Sequence, residues 1–159
     1  MRVTDLGEYD INDSDPRFVK VNKIHDKIKL KDDDLLVSRS GSLGLVSSVT
    51  NKIKNAILSS HIFKISLNTN RVTTKYLEVF FRSSLGQFQF FQKNNGGIIP
   101  EINQPALKSI KVILPDFKTQ DKIAEEVKRR MQKVEQLQKE AKEVLEKAKQ
   151  EVENIILGS

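Results

Sequence analysis

The C-terminal quarter of the chain constrains the fold most, because it combines a regular apolar period with a length that a compact domain cannot cover. Between Thr119 and Leu157, ten apolar residues recur at an average spacing of about 3.56 residues, because the nine intervals from the first to the last add up to 32 residues. This lies between the 3.5 of a coiled coil and the 3.6 of a straight α-helix. The stripe comprises Ile123, Val127, Met131, Val134, Leu137, Ala141, Val144, Ala148, Val152 and Ile155.

The rest of this segment is mostly Lys, Glu, Gln and Arg, which favour helices, and Gly158 stands where a helix C-cap would. A helix of this length spans roughly 57 Å at 1.5 Å per residue. Since one small domain cannot cover so long a stripe, the sequence predicts that the stripe pairs with a partner helix.

A strand, loop and strand are predicted in the middle of the chain. The apolar runs Leu35–Val37 and Leu45–Val49 flank a Ser/Gly loop, whose glycines Gly41 and Gly44 tolerate positive φ. The loop resembles a phosphate cradle, but no Lys follows Gly44 and a strand comes next, which argues against an NTPase. Arg and Ser side chains can instead contact phosphates or base edges, so the candidate contacts are Ser38, Arg39, Ser40 and Ser42. A purely structural turn is the alternative.

The positive charge of the chain is concentrated in one section. Residues 35–115 hold 10 Lys/Arg against only Glu78 and Glu101, a balance of +8. Residues 1–34 balance to −2 and residues 116–159 to zero, which together give the overall +6. A clustered basic section indicates a polyanionic partner, although a solvated basic face would look the same. Further candidate contacts in this section are Lys52, Lys54, Lys93, Asn94 and Asn95.

The remaining elements are predicted from the spacing of apolar residues and from the positions of Gly, Pro and helix-capping residues. An apolar stripe predicts a helix over Thr74–Gln92, capped by Thr73 or Thr74, which Gly86 could divide. Its Phe side chains are predicted to form core rather than stacking platforms, with Phe90 off the stripe. A short helix is predicted at Asn103-Pro105. Strands are predicted near the N-terminus (1–11), at 56–58, at 61–67 and at 110–114, and residues 18–30 suit either helix or strand.

Five segments then carry a family resemblance. Residues 33–44 read DDLLVSRSGSLG, Tyr76-Leu77 opens an aromatic helix, the Gly96–Pro100 loop follows, residues 106–115 read ALKSIKVILP, and Gln120 stands three before Ile123. In this order they resemble the target recognition domain of Type I restriction-modification specificity subunits, whose stretches read GDILISRSGSIG, L..I.I.LP and EEQ..I. The resemblance covers nearly the whole chain.

Two departures from the family are visible. Asp33 stands where the family usually has Gly, and residues 2–6 (RVTDL) resemble a strand that the family places further inside its domain. The family also normally carries two recognition domains and two conserved helices, whereas this sequence has one of each. The sequence therefore predicts a half subunit, shortened at its N-terminus.

The predicted fold class is α+β. Residues 1–115 are expected to form a mixed or antiparallel β-sheet recognition domain with a few helices, and residues 116–159 a long coiled-coil-type helix. The resemblance implies a non-catalytic protein that binds specific duplex DNA for a methyltransferase subunit and, as a further candidate, a restriction subunit. A cytoplasmic location is expected, since the absence of Cys fits a reducing compartment and the first residues lack the apolar run of a signal peptide. The methyltransferase would supply S-adenosylmethionine, so no cofactor is expected here. The helix would pair antiparallel with a second copy or with another specificity helix.

Other functions find little support in the sequence. The chain has no Cys, which excludes disulfides and thiolate zinc sites, and no apolar run long enough for a membrane span. His25 and His61 lack partners at metal-ligand spacing, and the Ser/Gly loop lacks the glycine of a nucleophile elbow. Two alternatives stay open: an adaptor that dimerises through the helix, and a single-strand binder that uses exposed Phe.

Overall fold

The structure is a computed structural model that describes residues 1–6, 25, 28–49, 56–67 and 70–158. The chain divides into two compact units, Met1–Ala124 and Glu125–Ser159. The predicted segment at 18–30 and the basic turn at 50–55, with Lys52 and Lys54, lie wholly or mostly outside the described residues.

A three-stranded antiparallel sheet organises the first unit. Its strands are β1 (Leu35–Ser38), β2 (Val46–Ser48) and β3 (Ile62–Ile65), in the spatial order β2-β1-β3. In the register, Val37 lies opposite Val46 on one side and Phe63 on the other. The predicted α+β class with an antiparallel sheet is confirmed.

Both faces of the central strand are buried, because every position of β1 is apolar or small. Successive side chains of a strand point to opposite faces. Leu35 and Val37 accordingly join a core on one face, whereas Leu36 joins a second core on the other. The first core contains Tyr76, Leu77, Phe80, Phe81, Phe90 and Ile102. The second contains Leu6, Leu30, Val49 and Ile62.

The helices are α1 (Thr74–Arg82), α2 (Ser84–Gln92), α3 (Gln104–Lys108) and α4 (Phe117–Leu157). Thr73 caps α1 by accepting a hydrogen bond from the N–H of Tyr76, and Asn103 caps α3 in the same way from Ala106. Gly158 follows α4 with φ of 70°, as a helix C-cap requires. The predicted caps and the predicted long helix are confirmed.

The predicted single helix over 74–92 breaks at Ser83, not at Gly86. Ser83 has extended backbone, and its hydroxyl donates to the carbonyl of Phe80 and accepts from the N–H of Gly86. Gly86 has a different role: a Cβ there would lie 2.4 Å from the carbonyl oxygen of Phe80. The glycine therefore permits the close approach of α2 to the end of α1.

The break also changes which Phe side chains are buried. Phe88 and Phe91, which extend the stripe of a continuous helix, are 59% and 75% exposed. Phe90, predicted to lie off the stripe, is 1% exposed and packs edge-on against Phe81 with ring centroids 5.4 Å apart. The core prediction is correct for Phe80 and Phe81 and wrong for the helical phase of α2.

Two predicted strands are absent from the described residues. Residues 110–114 form no strand, because side chains bind their backbone: Gln89 exchanges two hydrogen bonds with Lys111 (2.8 and 2.9 Å), and the Tyr76 hydroxyl donates to Ile113. At the N-terminus Val3–Asp5 forms a 3-10 turn, closed by the Asp5 carboxylate, which accepts from the backbone N–H of Arg2 at 2.7 Å. Residues 56–58 contribute only a single bridge, between Ile57 and Lys29.

Candidate nucleic-acid interface

The Ser/Gly loop is a tight connection between β1 and β2. Gly41 and Gly44 have φ of 80° and 79°, in the left-handed region that glycine tolerates best. The second glycine is also enclosed: a Cβ there would lie 3.2 Å from the Phe90 ring, and its carbonyl accepts from the Gln87 amide at 2.8 Å. Helix α2 therefore packs against the Ser/Gly loop at Gly44.

Ser38, a candidate contact, is fully buried. Its hydroxyl donates to the carbonyl of Ser42 and accepts from the N–H of Leu45 at 2.8 Å, so it closes the loop from inside. Ser42 itself is exposed. Of these two predicted contacts, only Ser42 presents a surface to a ligand in this structure.

Arg39 forms an ion pair with Glu101 at 2.7 Å and lies over the Phe63 ring, 5.8 Å from its centroid. The guanidinium donates from both Nε and Nη2 to one carboxylate oxygen. The side chain remains 40% exposed. Arg39 is thus held in one orientation with part of its guanidinium facing solvent, as base or phosphate recognition requires.

The backbone joins the two loops that the sequence singles out. The carbonyl of Arg39 accepts from the N–H of Ile102 at 3.0 Å, and the N–H of Gly41 donates to the carbonyl of Pro100 at 3.0 Å. Ser40 and Glu101 form an isolated antiparallel bridge. The Ser/Gly loop and the Gly96–Pro100 loop therefore form one surface, here termed the paired loops (residues 39–44 and 94–101).

Asn94 and Asn95 form hydrogen bonds that hold the Gly96–Pro100 loop, which is the second of the paired loops. The side-chain oxygen of Asn94 accepts from the N–H groups of Gly96 (3.1 Å) and Glu101 (2.9 Å). The amide of Asn95, oriented to suit its neighbours, donates to the Glu101 carbonyl at 2.8 Å and accepts from Asn103 at 3.1 Å. Both candidates thus bind within the protein, and Asn95 is also exposed.

His61 joins the paired loops although sequence reasoning gave it no role. Its ring Nδ1 lies 2.6 Å from the hydroxyl of Ser40, and its backbone carbonyl accepts from the N–H of Arg39. Both side chains lie at the surface. An isolated His just before a strand has no local signal of this contact, because Ser40 is 21 positions away and only the sheet register brings the two together.

The arginines of the basic section neutralise its only two carboxylates. Glu101 binds Arg39, and Glu78 binds Arg82 at 2.8 Å. Among the described residues, four lysines of this section form no ion pair: Lys75, Lys93, Lys108 and Lys111. Lys93, the predicted contact, is half-buried and directly precedes the second loop.

The predicted partner stripe of α4 is largely solvent-exposed in this structure. Along the helix, Ile123, Val134, Leu137, Val144, Val152 and Ile155 are 36% to 79% exposed, and Val127 and Met131 are half-buried. Beside the stripe, Glu126 accepts hydrogen bonds from Arg129 and Arg130 at 2.6–2.9 Å. These bonds lower the pKa of Glu126 to about 2, so its carboxylate is ionised at neutral pH.

The described residues hold no group of three or more His, Asp or Glu side chains placed to bind a metal ion. Within the same residues, no helix combines the length and apolar character that crossing a membrane requires.

The fold is that of Type I specificity subunits. The crystal structure of the HsdS subunit from Thermoanaerobacter tengcongensis is similar, with a TM-score of 0.67 and 16% sequence identity. The similarity covers 86% of this chain and 36% of that one, so this chain spans little more than a third of that subunit's length.

The sequence itself identifies the family. Residues 19–147 match the Type I restriction modification DNA specificity domain, which is 129 of the 159 residues. The chain therefore belongs to that family, as the resemblance predicted. No match was found among curated proteins.

Proposed function

We propose that this chain binds specific sequences in duplex DNA as the recognition component of a Type I restriction-modification complex, and that it catalyses no reaction itself. The family match over residues 19–147 carries this proposal. We assign recognition to residues 1–115 and helix pairing to residues 116–159.

The charge distribution supports DNA as the ligand. Both carboxylates of the basic section bind arginines, while lysines such as Lys93 have no ion-pair partner among the described residues. Lysines that meet phosphates release counterions, which supplies most of the sequence-independent affinity for DNA. The paired loops add side chains of the kinds that contact bases and phosphates: Arg39, Ser42 and Asn95.

The partners belong to the same proposal. A methyltransferase subunit would supply catalysis and S-adenosylmethionine, and a restriction subunit would supply cleavage, in the cytoplasm where the DNA lies. The recognition chain would then bring both activities to their sites.

The charges of α4 support pairing with a second copy in antiparallel orientation. Glu126, Lys133, Glu140 and Lys147 recur every seven residues beside the apolar stripe, with alternating sign. Consider two antiparallel copies that place Val134 opposite Leu137. In this register Glu126 lies beside Lys147 of the partner helix, and Lys133 lies beside Glu140, so each of these four residues faces an opposite charge. In a parallel pair in register, the same four residues would face Met131, Gln138, Leu145 and Val152, so no ion pair would form. Such a dimer would present two recognition units to two half-sites.

Fluorescence anisotropy tests the DNA proposal. Labelled random duplex, single-stranded DNA and single-stranded RNA of equal length are titrated across a salt series, followed by selection from a random duplex pool. We expect preference for duplex, an affinity that falls with salt, and an enriched sequence. Preference for single strands would overturn the proposal in favour of stacking on the exposed Phe88 and Phe91. No binding at low salt would favour an adaptor.

A further inference from the structure

The tip of the second loop presents two adjacent aliphatic side chains to solvent. Ile98 is 103% exposed and Ile99 is 65% exposed. Single exposed apolar residues are common on protein surfaces and need no explanation. Here the exposed pair differs because it stands at the end of a loop whose base is closed by hydrogen bonds.

The base of the loop is closed by hydrogen bonds. The N–H of Asn95 donates to the carbonyl of Glu101 at 3.0 Å, and the Asn94 side chain binds the N–H groups of Gly96 and Glu101. A Cβ at Gly96 would lie 2.1 Å from the carbonyl oxygen of Ile99, so only glycine fits there. The base of the loop is therefore preorganised, so the tip loses less conformational entropy on meeting a ligand than the tip of an open loop would.

The surroundings of the tip favour an anionic ligand. Pro100 accepts from the N–H of Gly41, which joins the tip to the loop that carries Arg39 and Ser42. Lys93 lies at the start of the same segment, and the section as a whole has a balance of +8. An apolar tip within a basic surface with hydroxyl and guanidinium groups complements DNA, whose backbone is anionic and whose major groove exposes the thymine 5-methyl group.

We propose that Ile98 and Ile99 contact thymine 5-methyl groups in the major groove of the target and so read A·T pairs. The inference rests on the proposed duplex-DNA function and assigns a specificity role to residues beyond the candidate contacts named from the sequence. The side chains of both residues carry only C–H groups, so they discriminate by methyl contact and not by hydrogen bonding.

Thymine-to-uracil substitution tests this directly, because it removes the methyl group and leaves base pairing intact. The probe is the duplex that the wild-type chain selects from a random pool, compared with versions carrying uracil at each thymine in turn. The proteins are wild type, the double variant Ile98→Ser/Ile99→Ser, and Ile113→Ser as the matched control. The Ile113 side chain is 63% exposed and lies outside the paired loops.

We expect uracil at one or two positions to weaken wild-type binding about fourfold each, the effect of one methyl-sized apolar contact. The double variant should bind the thymine duplex and its uracil versions equally, whereas Ile113→Ser should show the same uracil penalty as wild type. If wild type selects a sequence but tolerates uracil everywhere, the inference fails and the proposed function stands. If the double variant retains the full uracil penalty, other residues make the methyl contact and the inference fails. If no duplex is bound, the proposed function fails first.

Discussion

The side-chain oxygen of Gln120 accepts a hydrogen bond from the backbone N–H of Thr73 at 2.9 Å, which ties the start of α4 to the residue that caps α1. The amide nitrogen of Gln120 donates to the carbonyls of Arg71 and Pro115, both at 2.9 Å. Gln120 is fully buried, so one side chain satisfies three backbone groups. The Gln120 amide therefore fixes the first turn of α4 to the segment that precedes α1.

Replacing Gln120 should destabilise the first unit. Gln120→Leu removes the amide and leaves buried backbone groups unpaired, which costs about 3 kcal/mol of unfolding free energy. Urea unfolding followed by tyrosine fluorescence measures this, since the chain has no Trp and Tyr76 is buried in the core of the first unit. The exposed Gln138→Leu serves as control. Equal stability of the two variants would contradict the role assigned to Gln120.

Gly86→Ala should destabilise the chain more than Gly97→Ala. The added methyl at residue 86 would overlap the backbone of Phe80 and Phe81 at 2.4–2.7 Å, whereas at residue 97 nothing lies within 4 Å. Overpacking of this kind costs about 1–3 kcal/mol. The same urea titration compares the two variants, and a stabilised Gly86→Ala would show that α1 and α2 separate readily.

We expect Asp116 to make the stability of the chain depend on pH. Hydrogen bonds from the hydroxyl and the N–H of Thr119 lower the pKa of its carboxyl below the ordinary value of 3.8. Because the folded pKa is depressed, this contribution is present above the unfolded pKa and is lost as pH falls through the folded one. We expect the melting temperature of wild type to fall more steeply below about pH 4 than that of Asp116→Ala. Asp121→Ala is the control, and identical acid profiles for wild type and Asp116→Ala would exclude this contribution.

Lys93→Ala should weaken duplex binding by a similar factor for all sequences, because a lysine that meets a phosphate contributes affinity without readout. The slope of log K against log salt should decrease in magnitude by about 0.9. Lys142→Ala, on the exposed surface of α4, should leave the slope unchanged. An unaltered slope in Lys93→Ala would place this residue away from the DNA.

Cysteine crosslinking distinguishes the orientations of the helix pair, since the chain contains no native Cys. In the proposed antiparallel register Val127 lies opposite Val144 of the second copy. A mixture of Val127→Cys and Val144→Cys should therefore form disulfide-linked dimers on oxidation, and neither variant should do so alone. A parallel pair would reverse this result, each variant crosslinking with itself. A chain that remains monomeric at high concentration in sedimentation would contradict self-pairing.

Local sequence determined the elements that depend on local chemistry. The period over 119–157 identified the long helix, because a repeat near 3.6 places its apolar side chains on one face only in a helix. Thr73, Asn103 and Gly158 marked helix ends, since caps depend on residues within one turn. The apolar runs on either side of the Ser/Gly loop predicted β1 and β2, because the glycines permit the turn.

Tertiary structure decided the rest, because contacts distant in sequence compete with local pattern. Ser83 ends α1 and resets the phase of α2, which buries Phe90 instead of Phe88. Gln89 binds the backbone of residue 111, so an alternating apolar segment forms no strand. Glu101 stands 62 positions from Arg39, and only the sheet and the paired loops bring the carboxylate within 2.7 Å of the guanidinium. Ion pairs of this separation have no local signal, because chain folding alone sets the distance between the two groups.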